Sequence, residues 1–248
     1  MKKQIRFPSF ILVLAMLMCF VTACGADSPA ETTQPATIPV EERLVVSCLG
    51  DSITFGAGVK GKENTYPGQL QELLGDAYIV KNHGGNGRTL LREGLSAEPG
   101  DKYSVNITIW DSQHMNDSVG ANPDIVIIAL GTNDAKTFNW NAEAFREQYV
   151  ELVKYYQALE YSPEVYIMIP PAVFDPQEGY DGIAEIQAQV IADEVGSIVK
   201  EVAQECGCEF IDLHSITKDQ GTLFPDGVHP DAEGNELIAK AVYDAITK

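Results

Sequence analysis

Positively charged residues are scarce in this chain. Its 248 residues include 17 Lys and Arg against 36 Asp and Glu, which gives a formal net charge of −19 at pH 7. A polyphosphate would approach such a molecule against a repulsive field, so we do not expect a nucleic-acid partner. The hydrophobic fraction of 45% is ordinary for a globular protein, and it excludes disorder, collagen and coiled coil as descriptions of the whole chain.

Cysteine is also sparse, with 5 residues in the chain. Cys206 and Cys208 lack the second pair of ligands that a structural zinc site needs, and Cys48 lies in an apolar run typical of a buried small residue. Residues 56–62 have the glycine and lysine spacing of a phosphate-binding loop, but Glu63 stands where a Mg²⁺-binding Ser or Thr would be. We therefore expect no disulfide scaffold, no metal and no nucleotide cofactor.

A run long enough to span a bilayer is missing, since a membrane helix takes about 20 apolar residues. The apolar stretch 10–21 follows a basic N-terminus, as in a secretory signal peptide. It ends in VTAC, which resembles the lipobox of bacterial lipoproteins. This resemblance implies a signal peptide over residues 1–23, a lipid on Cys24 and an extracytoplasmic, membrane-anchored protein; simple secretion is the alternative. Residues 24–42 are rich in Ala, Thr, Pro and Glu and are predicted to be a flexible tether.

From residue 43 to the end, short apolar segments alternate with amphipathic ones. The short, β-branched segments are predicted strands, at 44–49, 78–81, 124–130, 165–169 and 208–213. The longer segments have apolar residues at helical spacing and are predicted helices, at 67–74, 142–159, 186–202 and 233–246. This alternation predicts one three-layer α/β/α domain over residues 43–248, with a mainly parallel sheet of about five strands.

Polar, glycine-containing segments follow the first three predicted strands, and another precedes the last helix. They read GDSIT from residue 50, NHGGNG from residue 82, GTND from residue 131 and DGVHP from residue 226. In open α/β sheets, functional loops lie beyond the carboxyl ends of the strands. We therefore expect these segments to converge on one site.

These segments contain the groups that ester hydrolysis needs. Ser52, on a tight turn between strand and helix, is the candidate nucleophile, and His229 is its candidate base. Asp226 can reach the other ring nitrogen of His229 and select its tautomer. The backbone N–H groups of Ser52 and Gly87 and the Asn133 amide are the predicted oxyanion donors.

Other polar residues of these segments have supporting roles in this interpretation. Asp51 and Asp134 are predicted to cap or brace the turns next to the nucleophile and the oxyanion amide, rather than to act as acids. Asn82 is predicted to hold its loop through side-chain-to-backbone hydrogen bonds. His83 and His114 have two interpretations, either in the pocket lining or at the surface. The segment 88–122 is long for a connection.

The four segments, taken together and in this order, resemble the conserved blocks of the SGNH, or GDSL-type, hydrolases. The resemblance covers the whole domain and implies a flavodoxin-like sheet and a serine esterase that uses neither metal nor cofactor. It assigns Ser52, Asp226 and His229 to the catalytic triad. It assigns Gly87 and Asn133, with the Ser52 amide, to the oxyanion hole.

The run from GDSIT to DGVHP is most similar to the carbohydrate O-acetylesterase branch of this family. The leading hypothesis is therefore removal of acetyl groups from a saccharide, with Trp110, Phe174 and Tyr180 available to stack on a sugar ring. The enzymatic alternative is a lysophospholipase or acyl-thioesterase of the same family. A non-catalytic glycan-binding lipoprotein and a flavin-binding electron carrier are the alternatives from other classes. The sequence leaves the oligomeric state open.

Overall fold

A computed structural model of the protein describes residues 38–183 and 185–248. The predicted signal peptide, Cys24 and most of the predicted tether lie outside these residues. The described part begins with a 3₁₀ turn, Val40–Glu42, directly before the first strand.

Five parallel strands form the sheet at the centre of the domain. They are β1 (Leu44–Gly50), β2 (Tyr78–Gly84), β3 (Ile125–Ala129), β4 (Glu164–Ile169) and β5 (Glu209–Asp212). Their order is β2-β1-β3-β4-β5, and every neighbouring pair is parallel. This is the strand order of flavodoxin-like sheets, so the predicted fold class is confirmed.

Helices cover the sheet on both faces. The described α-helices are α1 (Ser52–Phe55), α2 (Tyr66–Leu74), α3 (Gln113–Gly120), α4 (Ala142–Gln157), α5 (Ala188–Val190), α6 (Gly196–Cys206), α7 (Leu213–Thr217) and α8 (Ala232–Ile246). A π-helical turn, Ile191–Val195, joins α5 to α6. Further 3₁₀ turns are Lys62–Asn64, Gly75–Ala77 and Gly221–Leu223. Among the described helices, none has the length and apolar character needed to cross a membrane.

The predicted helices correspond to α2, α4, the α5–α6 pair and α8, and α3 was not predicted. Helix α3 lies within the long 88–122 segment, where the Ser112 side chain caps it by accepting a hydrogen bond from the Met115 N–H, 3.2 Å away. Only Met115 and Ser118 of this helix are buried. So few buried positions leave no apolar stripe that a sequence pattern would reveal.

Successive residues of each strand pack into opposite layers. In β3, Val126 and Ile128 contact the core beneath α4 and α6, whereas Ile125 and Ile127 contact the core beneath α2 and α8. Burial on both faces explains why this strand is continuously apolar rather than alternating with polar residues.

Candidate active site

Ser52 is placed by the short turn between β1 and α1. It is the first residue of α1 and only 8% exposed. Asp51 caps the helix, because its Oδ1 accepts a hydrogen bond from the Ile53 N–H at 2.9 Å. A Cβ atom at Gly50 would lie 2.7 Å from the Ala129 carbonyl oxygen, so only glycine lets β1 leave the sheet here. The turn thus holds the Ser52 hydroxyl at the carboxyl edge of the sheet.

His229 links Ser52 to Asp226 through two hydrogen bonds. The Ser52 Oγ lies 2.8 Å from His229 Nε2, and His229 Nδ1 lies 2.7 Å from Asp226 Oδ2. The other carboxylate oxygen of Asp226 accepts backbone N–H groups from Val228 at 2.9 Å and His229 at 2.7 Å. One carboxylate therefore orients both the imidazole ring and the turn that carries it.

The charge state of Asp226 follows from these contacts. Burial on its own would raise the pKa of this carboxyl. The hydrogen bonds from the backbone and ring of His229 and from the Val228 N–H outweigh burial, so the pKa of Asp226 lies below its usual value. A charged Asp226 keeps the proton on Nδ1 and leaves Nε2 to accept the proton of the Ser52 hydroxyl.

The turn between Asp226 and His229 depends on Gly227. Its φ is +84°, and an added Cβ would overlap the carbonyl group of Phe174. The Gly227 carbonyl also accepts a hydrogen bond from the Phe174 N–H at 2.9 Å. This turn, which we call the catalytic turn, therefore packs directly against the segment that follows β4.

Ser52, Gly87 and Asn133 line one cavity with His229, and its volume is about 340 Å³. Gly87 has a φ of +74°, a conformation that glycine adopts without strain. The Asn133 amide donates one hydrogen bond to the Arg88 carbonyl at 3.2 Å and has a second hydrogen for a ligand. Within residues 38–183 and 185–248, neither the Ser52 nor the Gly87 amide is a donor to a protein group. The predicted oxyanion donors are thus gathered beside Ser52.

The same cavity contains residues that sequence reasoning missed. Lys136, Ile183 and Ile186 belong to its lining. Lys136 comes two residues after the GTND segment, and this proximity was the available signal. Ile183 comes from the irregular segment after β4, where no pattern marks it. Ile186 is the first residue of the predicted helix 186–202, but α5 begins only at Ala188, so Ile186 also lies in this segment. In the described part of the chain, no group of three or more His, Cys, Asp or Glu side chains is arranged to hold a metal ion.

Asn82 braces the loop of the second segment. Its Nδ2 donates to the Thr54 carbonyl at 2.7 Å, and its Oδ1 accepts from the Gly84 N–H at 2.9 Å. The end of β2 is thereby tied to α1, the helix that begins with Ser52.

Asp134 connects the third segment to the chain that follows Gly87. Its two carboxylate oxygens accept the N–H groups of Leu91 at 2.8 Å and Leu90 at 3.1 Å. Burial raises the pKa of Asp134 to about 7, the two amides oppose this rise, and the nearby Asp51 charge adds to it. Asp134 therefore braces the two loops of the oxyanion donors without facing the cavity.

His83 belongs to the second segment and His114 lies beside it, and neither is among the described residues that line the cavity. The His114 ring lies against Gly85, where its Nε2 would be 2.5 Å from an added Cβ. Burial lowers the pKa of both histidines. Trp110 donates its indole N–H to a backbone carbonyl at 2.8 Å, and Tyr180 is 55% exposed. Neither aromatic ring belongs to the cavity lining.

A parallel α/β domain with a Ser–His–Asp chain of hydrogen bonds at its carboxyl edge defines a class, the serine hydrolases with a flavodoxin-like sheet. Residues 48–237 match the GDSL-like lipase/acylhydrolase family. The chain belongs to this family. The predicted family is thereby confirmed.

Similar proteins include an acetylxylan esterase of Xylanibacter ruminicola, which is 32% identical over 228 residues. The match covers 84% of this chain and 44% of that relative, so the chain spans less than half of the relative's length. Among solved structures, a carbohydrate acetylesterase family member from Sinorhizobium meliloti has a TM-score of 0.63 at 24% identity, covering 82% of this chain and 97% of that one. The native aryl esterase of M. smegmatis has a TM-score of 0.63 at 22% identity, covering 82% and 98%. These two structures have the same fold as this chain.

The raised pKa of Asp134 predicts a pH effect on stability. In the folded state the Asp134 carboxyl keeps its proton up to about pH 7, whereas an aspartate in the unfolded chain releases its proton near pH 4. The folded state thus binds more protons in this window, and the contribution of this group to stability falls as the pH rises. We expect Asp134→Asn to lack this loss. The free energy of unfolding of the wild type, relative to the variant, should fall between pH 5 and pH 8 in urea titrations.

The control for this experiment is Asp76→Asn, which removes an exposed carboxylate. Its difference from the wild type should change little over the same range. A wild-type advantage over Asp134→Asn that is equal at pH 5 and pH 8 would contradict the assignment.

Proposed function

We propose that this protein is a serine esterase that removes acetyl groups from carbohydrate. The observation that supports this most directly is the chain of short hydrogen bonds from Ser52 through His229 to Asp226, at the wall of a small cavity. Ser52 is the nucleophile and His229 is the general base and acid. Asp226 orients the imidazole and stabilises its protonated form.

In the first half of the reaction, Ser52 Oγ attacks the acyl carbonyl carbon and its proton passes to His229 Nε2. The carbonyl oxygen becomes an oxyanion, which the amides of Ser52 and Gly87 and the Asn133 side chain stabilise by donating hydrogen bonds. When this tetrahedral intermediate collapses, the bond to the alcohol oxygen breaks. His229 gives its proton to that oxygen, and the acyl group stays on Ser52.

In the second half, a water molecule takes the place of the alcohol. His229 accepts a proton from the water, which attacks the acyl carbon through the same oxyanion geometry. Collapse releases the carboxylic acid, and His229 returns the proton to Ser52 Oγ. The imidazole ends in its starting state, so no further reactant is needed.

Two observations support an acetylated carbohydrate over a long-chain lipid. The catalytic cavity has a volume of about 340 Å³, near the lower end for small-molecule sites. The similar proteins include an acetylxylan esterase and a carbohydrate acetylesterase family member. A lysophospholipase or acyl-thioesterase would instead need room for a long acyl chain next to the oxyanion donors.

The chain-length profile tests this choice. We expect residues 43–248 to hydrolyse p-nitrophenyl acetate and to discriminate against p-nitrophenyl octanoate, because a small acyl site excludes the longer chain. Ser52→Ala should abolish turnover of the acetate ester while the circular dichroism spectrum is unchanged. A preference for octanoate would assign the substrate to the lipids. No Ser52-dependent turnover by the folded domain would favour the non-catalytic glycan-binding alternative.

The oxyanion role of Asn133 has its own test. Removing one oxyanion donor typically lowers kcat by about 10²–10³, and we expect this loss for Asn133→Ala with p-nitrophenyl acetate. Asn116→Ala, which truncates an exposed amide on α3, is the matched control and should retain wild-type kcat. A kcat for Asn133→Ala within twofold of the wild type would remove Asn133 from the oxyanion hole.

We also propose that the protein is held at the outer face of a bacterial membrane by a lipid on Cys24. The support is the basic N-terminus, the apolar stretch 10–21 and the VTAC sequence that ends it. In this arrangement, residues 24–42 are the tether and residues 43–248 are the catalytic domain.

Detergent partitioning tests the lipid anchor. After expression of the full chain in a bacterial host, the wild type should enter the Triton X-114 phase, because a buried acyl chain contributes about 0.8 kcal/mol per methylene to membrane binding. Cys24→Ser should appear in the aqueous phase or remain unprocessed. Equal partitioning of the two proteins, when both are processed to the same length, would contradict lipidation of Cys24. The control Cys48→Ser changes a buried cysteine of β1 and should partition like the wild type.

A further inference from the structure

A second cavity of about 680 Å³ lies beside the catalytic cavity. We call it the side cleft; its apolar walls include Val173, Phe174, Pro176, Ile183 and Ile186. Ile183, Ile186 and Val228 line both cavities. The two cavities are therefore neighbours that share part of their walls, and the larger one has no role in the mechanism described above.

The catalytic residues are distributed unequally between the two cavities. Asp226 and Val228, on either side of Gly227 in the catalytic turn, line the side cleft. The oxyanion donors Ser52, Gly87 and Asn133 line the catalytic cavity and are not among the described residues of the side cleft. The side cleft therefore opens on the imidazole side of the nucleophile, away from the donors.

This asymmetry determines which half of an ester each cavity can hold. The carbonyl oxygen of the ester must face the oxyanion donors. The alcohol oxygen must lie next to His229 Nε2, from which it takes its proton. The alcohol half of the substrate consequently extends past His229 toward the cleft lined by Asp226 and Val228. An acyl chain directed there would carry its carbonyl oxygen away from the donors.

We propose that the side cleft binds the saccharide units next to the acetylated one, so that the enzyme acts on acetylated oligosaccharides or polysaccharides rather than on single sugars. This inference rests on the proposed function and names the substrate class of that site. The catalytic cavity is about 340 Å³ and the side cleft about 680 Å³. The larger space therefore lies on the alcohol side, where further sugar units would be found.

The chemistry of the walls suits a saccharide. The half-buried Phe174 ring packs on Phe224, with ring centroids 5.3 Å apart, and is thereby fixed in position. A fixed aromatic ring offers an apolar face to the C–H groups of a sugar. Asp175 is an exposed carboxylate on the same wall and can accept hydrogen bonds from sugar hydroxyl groups.

Both ends of the cleft wall are bonded to catalytic loops. Near the first end, the N–H groups of Phe174 and Gln177 donate to the carbonyls of Gly227 and Pro225, each at 2.9 Å. Near the other end, the Gln187 N–H donates to the Ala135 carbonyl at 3.1 Å. A saccharide in the cleft would therefore have a fixed position relative to both the catalytic turn and the loop that carries Asn133.

The experiment compares each acetylated tetrasaccharide with its acetylated monosaccharide, using the xylose, mannose and galactose series and acetate release as the readout. For at least one series, we expect the wild type to prefer the tetrasaccharide in kcat/KM. Phe174→Ala should lower that tetrasaccharide-to-monosaccharide ratio by about tenfold, mainly through KM, because it removes an apolar contact with the second sugar. Phe174→Leu, which keeps apolar bulk, should retain part of the ratio.

Tyr155→Ala is the matched control, since it removes an exposed aromatic ring of α4 outside the cleft, and its ratio should equal that of the wild type. The proposal is overturned if no tetrasaccharide is preferred over its monosaccharide, or if Phe174→Ala leaves the ratio unchanged. It is also overturned if Phe174→Ala changes the acetate-to-octanoate ratio of the p-nitrophenyl esters instead, because the cleft would then hold the acyl chain.

A binding measurement separates failure of this proposal from failure of the proposed function. Calorimetry with the unacetylated tetrasaccharides on Ser52→Ala protein requires no turnover. Binding that weakens about tenfold on adding Phe174→Ala supports the cleft even if no ester is hydrolysed, in which case the esterase proposal alone fails. Ser52-dependent ester hydrolysis without any tetrasaccharide binding would retain the esterase and reject the cleft.

Discussion

Parallel strand pairing is the constraint on which the rest of this structure depends. Because all five strands run in the same direction, the loops that follow them leave the sheet at a single edge. The central position of β1, between β2 and β3, places Ser52 between the loops that carry Gly87 and Asn133. Burial of the sheet on both faces requires helices between the strands, and those helices occupy the long stretches of chain between the polar segments.

His229 and Asp226 do not follow a strand directly, so their position depends on other contacts. Gly227 lets the turn between them press against the backbone of Phe174, in a space that excludes any side chain. The same post-β4 segment bonds at its far end to the loop after Asn133. One irregular segment therefore joins the two halves of the site and, in our proposal, also forms the wall that binds the saccharide.

The site is assembled at a cost to stability. Asp51 and Asp134 are buried close to one another, and burial raises the pKa of Asp51 to about 6 and that of Asp134 to about 7. Asp51 caps α1, and Asp134 accepts hydrogen bonds from the backbone N–H groups of Leu90 and Leu91. Both carboxyls act on loops of the proposed site, and neither is among the described residues that line the cavity. Accurate placement of the proposed oxyanion donors thus depends on carboxyl groups that the fold must keep away from water.

The sequence by itself determined the fold class and the residues of the four polar segments, because both are local properties. Strand and helix periods are visible within ten to twenty residues, and Ser52, Asp226 and His229 each lie in a short segment with its own turn chemistry. Only the tertiary structure decided that α3 forms around two buried residues. The same holds for the cavity that Lys136, Ile183 and Ile186 share with Ser52 and His229. These features arise from contacts between segments distant in the chain, such as Phe174 with Gly227. A local sequence pattern does not reveal such contacts, because they form and stabilise the protein only after the sheet has brought the two segments together.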